Sequence, residues 1–326
     1  MSLLELLVVE TGLGLTEIRQ IAYTAPRRYK QYTIPKRDGG SRPIAQPARE
    51  LKLLQRVILE NVLTSFPVHH AATAYAVGRS IKKNAIRHVE NRSLMKLDFR
   101  SFFPSLLVRD WVRYLERQSP DTLRRANLAE PDDRRLSSRL LFWGSGTLTP
   151  KCLSIGAPTS PSISNILMFE IDEAIAEICR VNQVTYTRYA DDITLSASHT
   201  SKLILVEKAV REVIRNSGSP KLIFNDEKRG VFTRGQKRMV TGLILTPDNR
   251  VSIGRERKRA IKALLDKFGR GLLQEADGAH LKGLLGFAAA AEPDFLTRLR
   301  RKYGSEVLDR ALRQPLFRRS TTVALK

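Results

Sequence analysis

The sequence predicts an α+β fold, and three observations carry that prediction. Short apolar runs with strand character end at aspartates or flank them: Leu94–Leu97 before Asp98, and Val184–Tyr189 and Ile193–Ala197 around Asp191 and Asp192. Longer stretches repeat apolar residues at helical spacing, as in Leu51, Leu54, Val57, Ile58 and Val62, and again in Ile163–Ile178 and Ile204–Ile214. From Arg255 onward the chain turns helical and strongly basic, through Arg255, Arg257, Lys258, Arg259, Lys262, Lys267 and Arg270. That change of composition divides the chain into residues 1–250 and 251–326.

The remaining elements follow in order. Met1–Glu10 is apolar but carries Glu5 and lacks a basic start and a cleavage site, so no signal peptide is expected. Thr16 stands where it would cap a short helix running to Tyr23. Tyr32–Lys36 and Arg42–Ile44 flank Asp38-Gly39-Gly40, the pattern of a basic β-hairpin. Asn84–His88 falls on a further basic helix or turn. Gln118–Arg135 is polar, contains Pro120 and Pro131, and reads as a loop or a weak helix. Within Ile163–Ile178, Asp172 and Glu173 are expected on the solvated face. Thr185–Ser196 alternates as a hairpin with the acidic pair in its turn, and Val240–Leu245 and Val251–Ile253 are strand-like around Pro247-Asp248-Asn249.

Composition narrows the partner. The 56 Lys and Arg against 33 Asp and Glu leave a net charge of +23. Such an excess favours a polyanion, because each phosphate neutralised releases counterions. A membrane surface is the lesser rival, and no apolar run approaches the roughly 20 residues that span a bilayer. Cys152 and Cys179 have no CxxC or Cys/His partner, so two buried thiols in a reduced, cytoplasmic chain are expected, without zinc.

The chemistry lies in the carboxylates. Two aspartates in a solvated turn are commonplace. Asp98, at the end of its own apolar strand, changes the reading: three aspartates on neighbouring strand ends pool like charge, which divalent cations neutralise. Mg²⁺, with Mn²⁺ as the alternative, is the expected ion, held by a few carboxylates and substrate phosphates. Two ions roughly 3.5–4 Å apart would clamp the attacking and leaving oxygens of a phosphoryl displacement. Asp98 and Asp191 would bridge both ions, and Asp192 would bind one or act at longer range.

Asp98 with Phe103, Gly156-Ala157-Pro158-Thr159-Ser160-Pro161 and Tyr189-Ala190-Asp191-Asp192 resemble, in order and spacing, the motifs of reverse transcriptases. The resemblance runs from about Tyr29 to about Gly254. It implies a right-hand polymerase fold of fingers, ferredoxin-like palm and helical thumb, with fingers and palm interleaved in residues 1–250 and the thumb in 251–326. It implies a catalytic set of Asp98, Asp191, Asp192 and Lys228, the lysine protonating pyrophosphate, and a metal set of Asp98, Phe99, Asp191 and Asp192. Lys36 and Arg42 would grip the incoming triphosphate. Phe103 would exclude a ribose 2′-OH, Gly156 would shape a turn against the nascent pair, and Tyr189 completes the nucleotide-binding set. Ile155 departs from the pattern, since many relatives carry a glutamine there that contacts the nucleotide sugar.

Asn84-Ala85-Ile86-Arg87-His88 and Val240-Thr241-Gly242 are similar to the NAxxH and VTG elements of bacterial retron reverse transcriptases. That resemblance implies priming from a guanosine 2′-OH of a cognate structured non-coding RNA. The product would be branched multicopy single-stranded DNA, made from dNTPs, in antiphage defence alongside an effector protein. RNA binding is expected at Asn84, His88, Val240, Thr241, Gly242, Arg255, Arg257, Lys258, Arg259 and Lys262, with a second basic cluster at Arg298, Arg300, Arg301 and Lys302. The rivals are a diversity-generating or abortive-infection reverse transcriptase, an RNA-dependent RNA polymerase, which Phe103 opposes, and a catalytically idle RNA-binding scaffold.

Overall fold

The computed structural model describes residues 1–35 and 39–313, the side chains of Glu275 and Ala276 excepted. In chain order its elements are α1 (Leu3–Thr11), α2 (Leu15–Thr24), β1 (Tyr29–Pro35), β2 (Ser41–Pro47), α3 (Arg49–Asn61), α4 (Ile81–Ile86), β3 (Ser93–Asp98), α5 (Phe102–Ser105), α6 (Val108–Glu116), α7 (Pro120–Arg125), α8 (Pro131–Leu141), α9 (Ser160–Leu167), α10 (Phe169–Val181), β4 (Thr185–Tyr189), β5 (Asp192–Ala197), α11 (Thr200–Asn216), β6 (Gly230–Phe232), β7 (Met239–Val240), β8 (Leu243–Leu245), β9 (Val251–Ser252), α12 (Arg255–Gly269), α13 (Glu275–Ala291), α14 (Pro293–Tyr303) and α15 (Ser305–Arg313). They fall into two compact units: Met1–Arg79 with Ser93–Val231, and Ser80–Arg92 with the described residues from Phe232 onward.

In the first unit the strands run β4-β5-β3-β6, with β3 and β4 both antiparallel to β5. Helices α10 and α11 pack on this sheet. The connectivity β3-α10-β4-β5-α11-β6 with that strand order is the ferredoxin-like arrangement that the resemblance implied. Period-two patterning explains the burial: Met95 and Leu97 of β3 and Ile193 and Leu195 of β5 enter one apolar core. The predicted hairpin forms as β1 and β2, registered from Tyr29 opposite Pro47 to Pro35 opposite Ser41. Both cysteines are free and buried, as expected.

Several elements differ from their expectation. Gly14, not Thr16, is the residue before α2, and no side chain caps that helix. Gln118–Arg135 forms α7 and the first turns of α8, because Pro120 and Pro131 occupy first-turn positions, where proline gives up no hydrogen bond. The helical stretch Ile163–Ile178 is broken at Met168 into α9 and α10. Asp172, expected in solvent, is fully buried against Arg188.

In the second unit, β7-β8-β9 form a small antiparallel sheet on which α4 packs. Val240–Leu245 is not one strand: Thr241 and Gly242 take positive φ, 46° and 81°, and turn the chain between β7 and β8. Helices α12–α15 bury Ile261, Leu265, Leu281, Leu285, Phe295, Leu299 and Leu308. This unit begins well before the change of composition at Arg255 and takes in Ser80–Arg92, because α4 packs on its strands.

Candidate active site

The acidic cluster is a consequence of strand register. Asp98, the last residue of β3, lies opposite Asp192, the first of β5, and Asp192 in turn pairs with Tyr189 at the end of β4. Residues directly opposite on neighbouring strands share a face with Cβ atoms about 5 Å apart. Ala190 and Asp191 make the turn, with Ala190 at φ 57°. The backbone N–H of Phe99 donates to the carbonyl of Asp191 at 3.3 Å, which ties the turn to β3.

Crowded carboxylates resist ionisation. Burial and then the charge of Asp98 raise the Asp191 carboxyl above its ordinary value. Burial, the charge of Asp191 and a hydrogen bond with Asp98 push Asp192 up to about 7. Lys228 answers this charge: its Nζ lies 3.0 and 2.9 Å from the two oxygens of Asp98. Burial works to lower the Lys228 ammonium, but its bonds to Asp98 and the neighbouring aspartates outweigh it and leave the value raised.

These groups fit a hard divalent cation in donor chemistry and in excess negative charge. Among the described residues no three His, Cys, Asp or Glu side chains are already gathered as a ready cage. Lys228 engages both oxygens of Asp98, and substrate phosphates ordinarily complete such sites. The Phe99 ring is buried, so only its carbonyl oxygen can serve a cation.

A stability prediction arises here. With the native Asp192 carboxyl near 7 and the unfolded one near its ordinary 3.8, the native state holds more protons between those values. Stability from this group therefore falls as pH rises through that window. In a chelator, thermal unfolding of wild type and Asp192→Asn is expected to coincide near pH 4, with the variant melting higher at pH 8. Equal pH slopes for the two proteins would remove the argument.

The nucleotide-binding expectations fall in the same unit, save Lys36, which lies outside the described residues. Arg42 is exposed on β2, and its charge acts to lower the Asp191 carboxyl. Phe103 is half-buried, its ring 5.5 Å from that of Phe102. Gly156 sits at φ 130°, and a Cβ there would lie 2.9 Å from the carbonyl of Ala45, so only glycine lets this loop meet β2. Ile155 holds the same junction through its carbonyl, which accepts from the Ala45 N–H at 2.9 Å. Tyr189 is half-buried, 6.3 Å between ring centroids from Tyr75.

Three features escaped the sequence reading. Tyr75 stands exposed beside Tyr189 in a left-handed backbone, φ 59°. Lys96 on β3 opposes the rise of the Asp192 carboxyl. Arg188 lies on β4, fully buried, and a lone arginine inside the run Val184–Tyr189 was the available signal.

In the second unit, the expected RNA-binding residues divide into two kinds. Asn84, His88 and Val240 are fully buried. Burial and nearby Arg87 drive the His88 imidazole down to about 3, so it is neutral. The side chains of these three are therefore enclosed within the second unit in this structure. Thr241 donates through Oγ1 to the carbonyl of Ile81 at 3.2 Å, and the carbonyl of Gly242 accepts from Arg257 at 2.6 Å. Lys258 pairs with Glu292 at 2.6 Å. Arg255, Arg259 and Lys262 are exposed, one helical face of cations. In the second basic cluster, Arg298 pairs with Glu292 and Arg300 with Asp309.

The family model for reverse transcriptase (RNA-dependent DNA polymerase) matches residues 34–262. The chain is 39% identical to the retron Ec83 reverse transcriptase of Escherichia coli, over 86% of this chain and 88% of that one. It is 32% identical to the retron Ec73 reverse transcriptase of Escherichia coli, over 87% and 89%. To the retron Mx65 reverse transcriptase of Myxococcus xanthus it is 34% identical, over 89% and 69%.

Proposed function

Because the chain belongs to the retron-type reverse transcriptases, right-hand polymerases that copy RNA into DNA, we propose that it extends a guanosine 2′-OH of a cognate structured RNA with dNTPs. The product is branched multicopy single-stranded DNA, made in the cytoplasm for antiphage defence with an effector protein encoded alongside. Among the described residues no helix is long and apolar enough to cross a membrane. The observation that carries the enzymatic reading is the meeting of Asp98, Asp191 and Asp192 at one end of the sheet.

Two divalent cations, Mg²⁺ or alternatively Mn²⁺, supply charge neutralisation and a more acidic attacking hydroxyl when bound. Asp98 and Asp191 hold them, with Asp192 and the Phe99 carbonyl beside. Arg42 and Lys36 grip the triphosphate. Phe103 lies under the sugar, Gly156 and Tyr189 border the base pair, and Lys228 donates a proton to departing pyrophosphate. Lys228 lies at the acidic cluster, 2.9 Å from Asp98, which supports a place for it in the same site. The first unit works as fingers and palm. The second works as a thumb, its exposed Arg255, Arg259 and Lys262 tracking the RNA backbone.

The test is to purify the protein from its host and sequence the nucleic acid it carries. The expected result is one structured RNA joined to DNA by a linkage that debranching enzyme cuts and RNase trims to a stub. DNA without any 2′–5′ linkage would favour a diversity-generating or abortive-infection enzyme instead.

A further inference from the structure

The pair Asp172–Arg188 lies wholly out of solvent. Arg188 directs Nε and Nη2 at the two oxygens of Asp172, at 2.8 and 2.6 Å, in a bidentate fork. Tyr186 adds a hydroxyl donor to the same carboxylate at 2.6 Å. The remaining arm of the guanidinium, Nη1, donates to the carbonyl of Ala190 at 3.0 Å. Ala190 is the left-handed residue of the acidic turn, one position before Asp191.

An alanine at positive φ persists when its surroundings over-determine it, and such strain clusters where geometry matters. Here the turn is fixed on both sides, Ala190 by Arg188 and Asp191 by the N–H of Phe99. Arg188 itself has no slack. Its N–H donates to the carbonyl of Ala71 at 2.8 Å, and its carbonyl accepts from the N–H and the hydroxyl of Thr73 at 2.7 and 3.0 Å. Asp172 comes from α10, so the chain of contacts runs from helix to strand to turn. A buried ion pair is a weak source of stability compared with apolar packing of like volume. What this pair adds is orientation.

We propose that Arg188 and Asp172 are positioning residues that hold the Ala190–Asp191 turn, and with it the Asp191 carboxylate, in the geometry that accepts the divalent cation. The inference rests on the reading of Asp191 as a metal ligand. It makes the pair the outer support of that ligand, the kind of partner whose loss weakens metal affinity about 10–100-fold.

Arg188→Lys is the decisive variant, because an ammonium can still face Asp172 but lacks the fork that reaches Ala190 as well. Mn²⁺ alone is titrated into the protein and followed by electron paramagnetic resonance, beside circular dichroism, kcat and the KM for dNTP. We expect a folded variant with Mn²⁺ binding weakened about 10–100-fold, kcat reduced to match and KM unchanged. Trp111→Phe, which removes the indole bond to Ser137 in the same unit, is the control; it should lower the melting temperature and leave Mn²⁺ binding alone. If Arg188→Lys does not fold, Tyr186→Phe, which deletes one bond to Asp172, must weaken Mn²⁺ binding in the same direction. Unchanged Mn²⁺ binding in whichever variant folds would overturn the proposal. Asp191→Asn separates the two levels: full Mn²⁺ binding and synthesis in that variant would overturn the metal-site reading itself.

Discussion

Asp191→Asn combined with Asp192→Asn is expected to abolish DNA synthesis while RNA binding survives. Metal-assisted stabilisation of a phosphoryl transfer is worth several kcal/mol, and each 1.36 kcal/mol is tenfold, so the loss should be on the order of 10³-fold or more. Unfolding cannot account for such a loss. The two carboxyls are raised by burial and by neighbouring carboxylates, so neutral amides relieve repulsion rather than create it. The exposed cations assigned to RNA lie on α12, in the other unit, and keep their charge. Primer extension read beside RNA binding by fluorescence anisotropy checks both halves. Surviving synthesis would remove the metal site; lost RNA binding would assign the lost synthesis to the template rather than to the metal.

The acidic turn was legible in the sequence because strand alternation on both sides of Asp191 and Asp192 is a local signal, as is the apolar run that ends in Asp98. Their convergence is long-range; it was inferred from three strand-end aspartates and strengthened by the resemblance in motif order. Asp172 was misread for the same reason in reverse. On its helix it looks like an ordinary solvated acid, and its partner Arg188 lies on a strand that local periodicity does not connect to it. Pro120 and Pro131 were read as breakers, although at helix starts they are compatible with the fold. The short motifs at Asn84–His88 and Val240–Gly242 carried no information on exposure or on the packing of α4 against β7 and β8. The turn at Thr241-Gly242 shows the same limit: β-branched and apolar neighbours suit a strand, and only the positive φ of two successive residues reveals the bend.

Phe103→Ala should turn a DNA polymerase into one that accepts ribonucleotides. The ring of Phe103 is half-buried, and it rests against Phe102 at 5.5 Å. Phe102 stacks on Phe99 at 5.8 Å, and Phe99 on Phe224 at 4.8 Å. This aromatic column is anchored in the core beside Asp98, so Phe103 has little room to retreat from an added 2′-OH. Exclusion of this kind is a built-in clash against the wrong substrate. Removing it should lower the ratio of kcat/KM for dNTP over rNTP by about 10–100-fold, the scale at which small differences in a pocket are read. The truncation also removes packing, but a half-buried ring costs less than the roughly 3–5 kcal/mol of a fully buried one. Turnover with dNTP is therefore the internal control for folding. A ratio unchanged from wild type, with dNTP turnover intact, would mean that the 2′ position is sensed elsewhere. Ile155, whose carbonyl holds the loop to β2, and the exposed Tyr75 beside Tyr189 would then be the residues to examine.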